Sequence, residues 1–326
     1  MKRCEATAIL AVAVALLPAC AINPPLRIAD AMPAEADAGV LLLDVPFHPQ
    51  TEMQCGPAAL ATVLGASGVP VTPEALAPQV YLPERGGSLQ LELVGATRRA
   101  GRIPYRVERT PDALLAELEA GRPVLVLQNL LVRTVPKWHY AVLIGADPQG
   151  NRMILNSGEE RGLEVRAPSF LRTWDWGGRW AMVALRPGEL PAQPDPTTYL
   201  TAVADFEAVA GAKAAKPAWR SALQRWPSDP RPHLALGNQA HAAGDDLDAA
   251  RHYQAGLALA PADPVLGNNL ASVLVELGCR REARTALAAA RDGLKEGDPW
   301  RGNLEQTARD IEASRRRRGK ACDALD

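Results

Sequence analysis

Cys55 ends a polar stretch, Phe47-His48-Pro49-Gln50-Thr51-Glu52-Met53-Gln54, and an apolar helical pattern starts directly after it in Ala58, Ala59, Leu60, Val63 and Leu64. A thiol so placed sits at a helix N-terminus, where unpaired N–H groups and a partial positive charge favour thiolate over thiol. Pro57 suits the first helical turn, which needs no backbone donor. Position alone does not make a nucleophile, because a small cysteine ahead of a helix is often buried filler. The chemistry also needs a base, a group that orients the base, and donors for the developing oxyanion. Outside the C-terminal third the chain has two histidines, His48 and His139. His139 opens the strand-like run Trp138–Gly145, where a side chain can face a cleft, whereas His48 precedes the thiol in its own loop and reads as structural or substrate-facing. Asn156 ends the strand that returns from His139, and its carbonyl oxygen can accept an imidazole N–H. Asp147 lies in the turn at the far end of that hairpin and is discounted. Gln50, with the Cys55 backbone N–H, supplies two oxyanion donors; Gln54 is the alternative, but its adjacency to the nucleophile points it elsewhere.

The elements that must position these groups run from 40 to 188. Val40–Val45 is a short strand, a helix follows Cys55 to about Ala66, and Thr72-Pro73-Glu74 opens another with Thr72 as N-cap. Gly86-Gly87-Ser88 breaks the chain. Helices are expected at 89–100 and 112–120, with a strand at 103–108 between them. Strands follow at 123–128, 138–145 and 152–156, with Asp147-Pro148-Gln149-Gly150 as the turn of a hairpin. A helix at 167–174 and a strand at 180–185 complete an α+β layout.

Residues 189–198 are Pro-rich and read as a linker. Beyond them the chain is alanine-rich and helical, and it repeats: Trp226-Pro227-Ser228-Asp229-Pro230 recurs as Ala260-Pro261-Ala262-Asp263-Pro264, at the 34-residue tetratricopeptide period. The marker positions fall on Leu236, Gly237, Gly244, Ala249, Tyr253 and Pro261, then on Leu270, Ala271, Gly278, Ala283 and Leu287. A degenerate earlier unit keeps Ala215, Trp219, Ala222 and Pro227. Each helix pair needs a small residue where helices cross and a proline where the pair ends. The repeats span 199–318 with a capping helix from 299, and 319–326 is a tail. His233, His241 and His252 belong to this region and read as packing or solvent residues.

The N-terminus carries Lys2 and Arg3, an apolar run from Ala8 to Leu17, and Leu17-Pro18-Ala19-Cys20. The run is short for a membrane span, and its basic flank is that of a secretory signal. The tetrad resembles the lipobox of bacterial lipoproteins, which implies removal of 1–19, lipidation of Cys20 and a tether over 20–39. Ala21 after the cysteine points to the outer membrane, facing the periplasm. The chain has five cysteines and a net charge of -1. Near-neutral charge gives no reason to expect nucleic acid, and no Cys-x-x-Cys or His-x-x-x-His spacing argues for a metal; no cofactor is implied. With Cys4 in the leader and Cys20 lipidated, Cys279 and Cys322 could pair, leaving Cys55 free. The run Arg315–Arg318 reads as a solvated helix end.

Gln50, Cys55-Gly56-Pro57-Ala58-Ala59-Leu60, Gly86-Gly87-Ser88, His139-Tyr140-Ala141-Val142-Leu143 and Asn156 together resemble the peptidase C39-like family. The resemblance covers about 40–188 and implies a papain-like fold with a Cys55–His139–Asn156 triad and Gln50 ahead of the cysteine. The best-known members remove double-glycine leaders and are fused to ABC transporters. No transporter is present here, so that substrate does not transfer. The chain is most similar to the lipoprotein type with C-terminal tetratricopeptide repeats. Many relatives have an Asp-Pro pair where this chain has Asn156-Ser157. The implied protein is a membrane-tethered cysteine peptidase whose repeats hold a peptide substrate or a protein partner. The alternatives are a non-catalytic adaptor on a decayed peptidase fold and a cell-wall amidase.

Overall fold

In a computed structural model that describes residues 39–49, 55–314 and 320–325, an antiparallel sheet divides the N-terminal half into two apolar layers. The chain begins with β1 (Val40–Leu41) and then α1 (Cys55–Ala66), which buries almost its whole length, from Gly56 to Leu64. Thr72 caps α2 (Pro73–Val80), accepting from the Ala75 amide, with Pro73 in the first turn. The short strands β2 (Tyr81–Leu82) and β3 (Gly87–Ser88) form their own antiparallel ribbon before α3 (Gln90–Arg99). After β4 (Ile103–Arg106), Thr110 and Pro111 start α4 (Pro111–Glu119) in the same manner.

The remaining strands are β5 (Val124–Asn129), β6 (Trp138–Asp147), β7 (Arg152–Ser157) and β8 (Glu160–Arg166), then α5 (Ala167–Trp176) and β9 (Ala181–Leu185). The sheet order is β4-β9-β5-β6-β7-β8, and β1 pairs with β6. One face packs on α1 and α2 through Leu125, Leu127, Tyr140, Val142 and Met182. The other packs on α4 and α5 through Val124, Val126, Ala141, Leu143 and Val183. Burial on both faces explains why β5 and β9 read as unbroken apolar runs rather than alternating ones. The strand β8 was not expected. Its charged positions Glu160, Glu164 and Arg166 belong to a sheet edge, where charge discourages further pairing.

The C-terminal half is three helical hairpins: α6 (Pro196–Ala210) with α7 (Ala212–Arg225), α8 (Pro230–Ala242) with α9 (Asp246–Leu259), and α10 (Pro264–Glu276) with α11 (Arg280–Asp292). The helix α12 (Arg301–Ala313) closes the stack. Asp195, Asp229 and Asp263 each cap a helix whose first residue is proline. The repeat therefore starts at Asp195-Pro196, one unit earlier than the two clear copies. A Cβ on Gly237 would lie 2.5 Å from Tyr253, and one on Gly267 would lie 2.5 Å from Ala290, so these crossings demand glycine. Cys279 and Cys322 are joined in a disulfide with Cα atoms 5.5 Å apart, which fastens the 320–324 turn to the start of α11.

The Pro-rich segment 189–195 is a bound joint rather than a free linker. The Ala192 amide donates to Glu117, the Tyr199 hydroxyl to the Glu189 carbonyl, and the Asp195 amide to the Tyr105 hydroxyl. Tyr199, Val203, Phe206 and Trp219 share one core with Ile103, Tyr105 and Leu185 of the sheet. Among the described residues, no helix is long and apolar enough to cross a membrane. Cys20 and the leader lie outside the described residues.

Candidate active site

Cys55 is the first residue of α1 and the free cysteine among the described residues. It lines a cavity of about 700 Å³ bounded by Gly86, Gly87, Ser88 and Leu89 on one side, and by Trp138, Tyr140 and Trp176 on the other. Gly56 is required here. A Cβ at that position would lie 2.3 Å from the Ser88 hydroxyl, so glycine lets β3 close over the start of α1. The Tyr140 hydroxyl donates to the Ser88 carbonyl and its ring meets Trp180 edge-on, which fixes the cavity floor. Burial raises the Tyr140 pKa, and the neighbouring Cys55 raises it further. The buried hydroxyl of Ser88 has no hydrogen-bond partner among the described residues.

His139 is the second residue of β6 and is partly buried. The positions that face the cavity are its neighbours, Trp138 and Tyr140. Strand alternation turns His139 to the other face. Its cross-strand partner Gln128 donates from that face to Thr173 of α5 at 2.6 Å. No hydrogen bond joins Cys55 to His139 among the described residues, so the expected thiol–imidazole contact is not made here. Burial lowers the His139 pKa to about 4, with a smaller contribution from the Lys137 charge.

The expected orienting bond is corrected. His139 Nε2 is 2.9 Å from the Ser157 hydroxyl, not from Asn156. Asn156 accepts from the Gly162 amide at 3.1 Å and donates to the Pro46 carbonyl at 3.5 Å. A bulge between Leu155 and Ser157 interrupts the β7–β8 pairing at this point. Bulges re-aim side chains, and this one accompanies the exchange of roles between neighbours. Asn156 instead anchors the loop that leads to the thiol. Sequence reasoning met Ser157 only as a departure from an Asp-Pro pair; its signal was a hydroxyl next to the expected orienter.

The other expected residues fall as follows. Gln50 and Gln54 lie outside the described residues. His48 is partly buried near Glu74, whose carboxyl is held below its usual range first by a backbone hydrogen bond, then by Thr72, with a minor effect of His48. Asp147 accepts from the Gly150 amide and closes the turn far from Cys55. Among the described residues, no group of three or more His, Cys, Asp or Glu could hold a metal ion.

Residues 42–174, which contain Cys55, His139 and Asn156, match the Peptidase C39 like family. This domain belongs to the C39-like family. A solved structure of a candidate C39-like peptidase from Bacillus anthracis is 19% identical to the chain, with a TM-score of 0.40; the match covers 46% of this chain and 98% of that one. No curated protein matches the chain. The C39-like domain thus presents a thiol at a helix start inside a cavity, with an imidazole on the strand beside it, held through Nε2.

Proposed function

We propose that the chain is a cysteine peptidase of the bacterial envelope, held at the periplasmic face of the outer membrane through lipidated Cys20, with repeats of tetratricopeptide type that dock a polypeptide substrate or a protein partner. The observation that carries the reading is the free thiol of Cys55 at the start of α1, lining a cavity within a domain of the C39-like family. The Cys55 thiol gives its proton to Nδ1 of His139, and the thiolate adds to the carbonyl carbon of the scissile peptide. Nδ1 is the nitrogen left for this task, since Nε2 is engaged by Ser157. The Cys55 N–H and the Gln50 amide receive the charge on the carbonyl oxygen, each such donor being worth roughly 10²–10³ in rate. His139 returns the proton to the leaving amine as the C–N bond breaks. Water, deprotonated by the same imidazole, then cleaves the thioester and restores the thiol. In this structure the imidazole lies on the α5 side of β6, so the reading requires it to turn to the cavity side when substrate binds. An apolar hollow of about 550 Å³ beside α6 and α8, lined by Leu200, Trp219 and Leu234, supports the docking role. Docking there raises the local concentration of substrate at the C39-like domain.

The missing Cys55–His139 bond is the observation that favours the second reading, a non-catalytic adaptor. One measurement separates the two: alkylation of the full chain by iodoacetamide at neutral pH. The peptidase reading expects Cys55 to label faster than a free model thiol, and expects His139→Ala to remove the excess. Labelling at the model rate, unchanged by His139→Ala, would leave the adaptor.

A further inference from the structure

The segment that joins β5 to β6 is unusual for a surface loop, because Leu130, Leu131, Val132 and Val135 in it are large, apolar and exposed beside the charged Arg133 and Lys137. Leu130, Leu131, Val132, Val135 and Trp138 are between 42% and 62% exposed. Scattered apolar residues on a surface need no explanation, but a contiguous set does.

The segment is also rigidly built. Asn129, itself 1% exposed, accepts from the amides of Leu131 and Lys137 and donates to the carbonyl of Val132. The Leu130 amide donates to the Lys137 carbonyl, and Val132 bridges Val135. Arg133 reaches back to Asp175 near the end of α5 at 2.9 Å, beside Trp176 of the cavity wall. A buried side chain spending its hydrogen bonds on one hairpin holds that hairpin in a single shape. Rigidity keeps apolar side chains in water that a flexible loop would fold under.

The hairpin is continuous with the wall of the Cys55 cavity. Trp138 belongs to both, and Leu127 and Tyr140, which line the cavity, lie on the two strands that carry the hairpin. Leu89, 41% exposed, stands on the opposite rim. From this continuity we infer that the 130–138 hairpin is a substrate-binding lip that selects an apolar stretch of the polypeptide beside the bond cut at Cys55. The inference rests on the peptidase reading and adds the substrate class. Burying apolar side chains of the substrate against Leu131, Val132, Val135 and Trp138 supplies affinity without touching the reacting atoms, so its signature is in KM rather than kcat.

The test compares the full chain with a Leu131→Ser, Val132→Ser, Val135→Ser variant, all at positions outside the catalytic set. Binding is read by tryptophan fluorescence on a Cys55→Ala background, with ten-residue peptides of Leu, Val and Phe against matched peptides of Ser and Gln. The apolar peptides are expected to bind the parent at least about tenfold more tightly than the polar ones, and the triple variant is expected to lose that difference. In the Cys55 protein, KM for the apolar peptides is expected to rise by a similar factor with kcat unchanged. Equal binding of both peptide classes by parent and variant would overturn the lip. So would loss of binding to phosphatidylethanolamine–phosphatidylglycerol vesicles by the variant with peptide binding intact, which would assign the hairpin to a membrane surface. Iodoacetamide labelling of Cys55 is read in parallel. If it fails while the peptide preference stands, the peptidase reading fails and the lip survives.

Discussion

His139 Nε2 and the Ser157 hydroxyl share a hydrogen bond of 2.9 Å, while Asn156, one residue away, turns to Gly162 and Pro46. The two neighbours therefore separate in mutational effect. Ser157→Ala is expected to lower kcat about tenfold through loss of one orienting bond of about 1 to 2 kcal/mol, with little change in Tm. Asn156→Ala is expected to destabilise the domain by about 1 to 3 kcal/mol, because it leaves the partly buried Gly162 amide and Pro46 carbonyl unpaired. Kinetics and thermal melts of both variants check this. A silent Ser157→Ala beside a catalytically dead, well-folded Asn156→Ala would return the orienting role to Asn156.

The pH behaviour follows from the desolvated imidazole. With a pKa of about 4, His139 is neutral, and so able to act as a base, throughout the physiological range. The acid limb of kcat/KM is expected near pH 4 rather than at the ordinary histidine value of 6.5. The stability consequence has a definite sign. The folded-state pKa lies below the unfolded one, so the contribution is fully present above pH 6.5. It is lost as pH falls through about 4, by up to about 3 kcal/mol. His139→Gln is expected to flatten the decline in Tm over that interval. An acid limb centred at pH 6 to 7, or an unchanged decline in the variant, would contradict the burial assigned to His139.

The site was legible where chemistry and spacing coincide and illegible where a register decides. Cys55 at a helix start and His139 at a strand start were readable because Pro57 and the apolar run after Trp138 mark those boundaries. The choice between Asn156 and Ser157 was not, since it depends on a one-residue bulge against β8, a charged edge strand that carries no alternating apolar signal. Asn129 was hidden for a similar reason: its role is to bind backbone groups of a loop, which no residue pattern announces. In the C-terminal half, the Asp-Pro pairs marked helix starts at Pro230 and Pro264. The degenerate first unit, placed at about 196–229 from Ala215, Trp219, Ala222 and Pro227, starts at the same pair, Asp195-Pro196.

Gly56 offers a check on how Cys55 is positioned. A methyl group there would meet the Ser88 hydroxyl at 2.3 Å and the Ser88 Cβ at 2.5 Å. Gly56→Ala is expected to cost about 1 to 3 kcal/mol and to slow Cys55 alkylation, because β3 must retreat from the thiol. Ser88→Gly removes both clashing atoms, so the double variant is expected to regain much of the labelling rate, whereas Ser88→Ala in its place should not. Additive losses in the Gly56→Ala, Ser88→Gly pair would mean that the two residues do not meet across this contact.

The shared core also decides where the chain can be cut. The repeat period invites a division near residue 196 into an independent catalytic unit and an independent docking unit. The packing opposes it, because Tyr199, Val203, Phe206 and Trp219 complete the same core as Ile103, Tyr105 and Leu185. Glu117, buried in α4, further receives the Ala192 amide and is paired with Arg122. A chain ending at 195 exposes the apolar face of β4 and is expected to aggregate or to melt well below the intact protein. A chain ending at 228 keeps α6 and α7 on the sheet and is expected to retain the folded C39-like domain, with Cys55 alkylation at the parent rate. Loss of processing of a natural substrate by this second chain, with unchanged cleavage of small peptides, would locate docking in α8 to α12. A chain ending at 195 that is soluble, and that melts where the one ending at 228 does, would show that the first hairpin contributes nothing to the fold of the sheet.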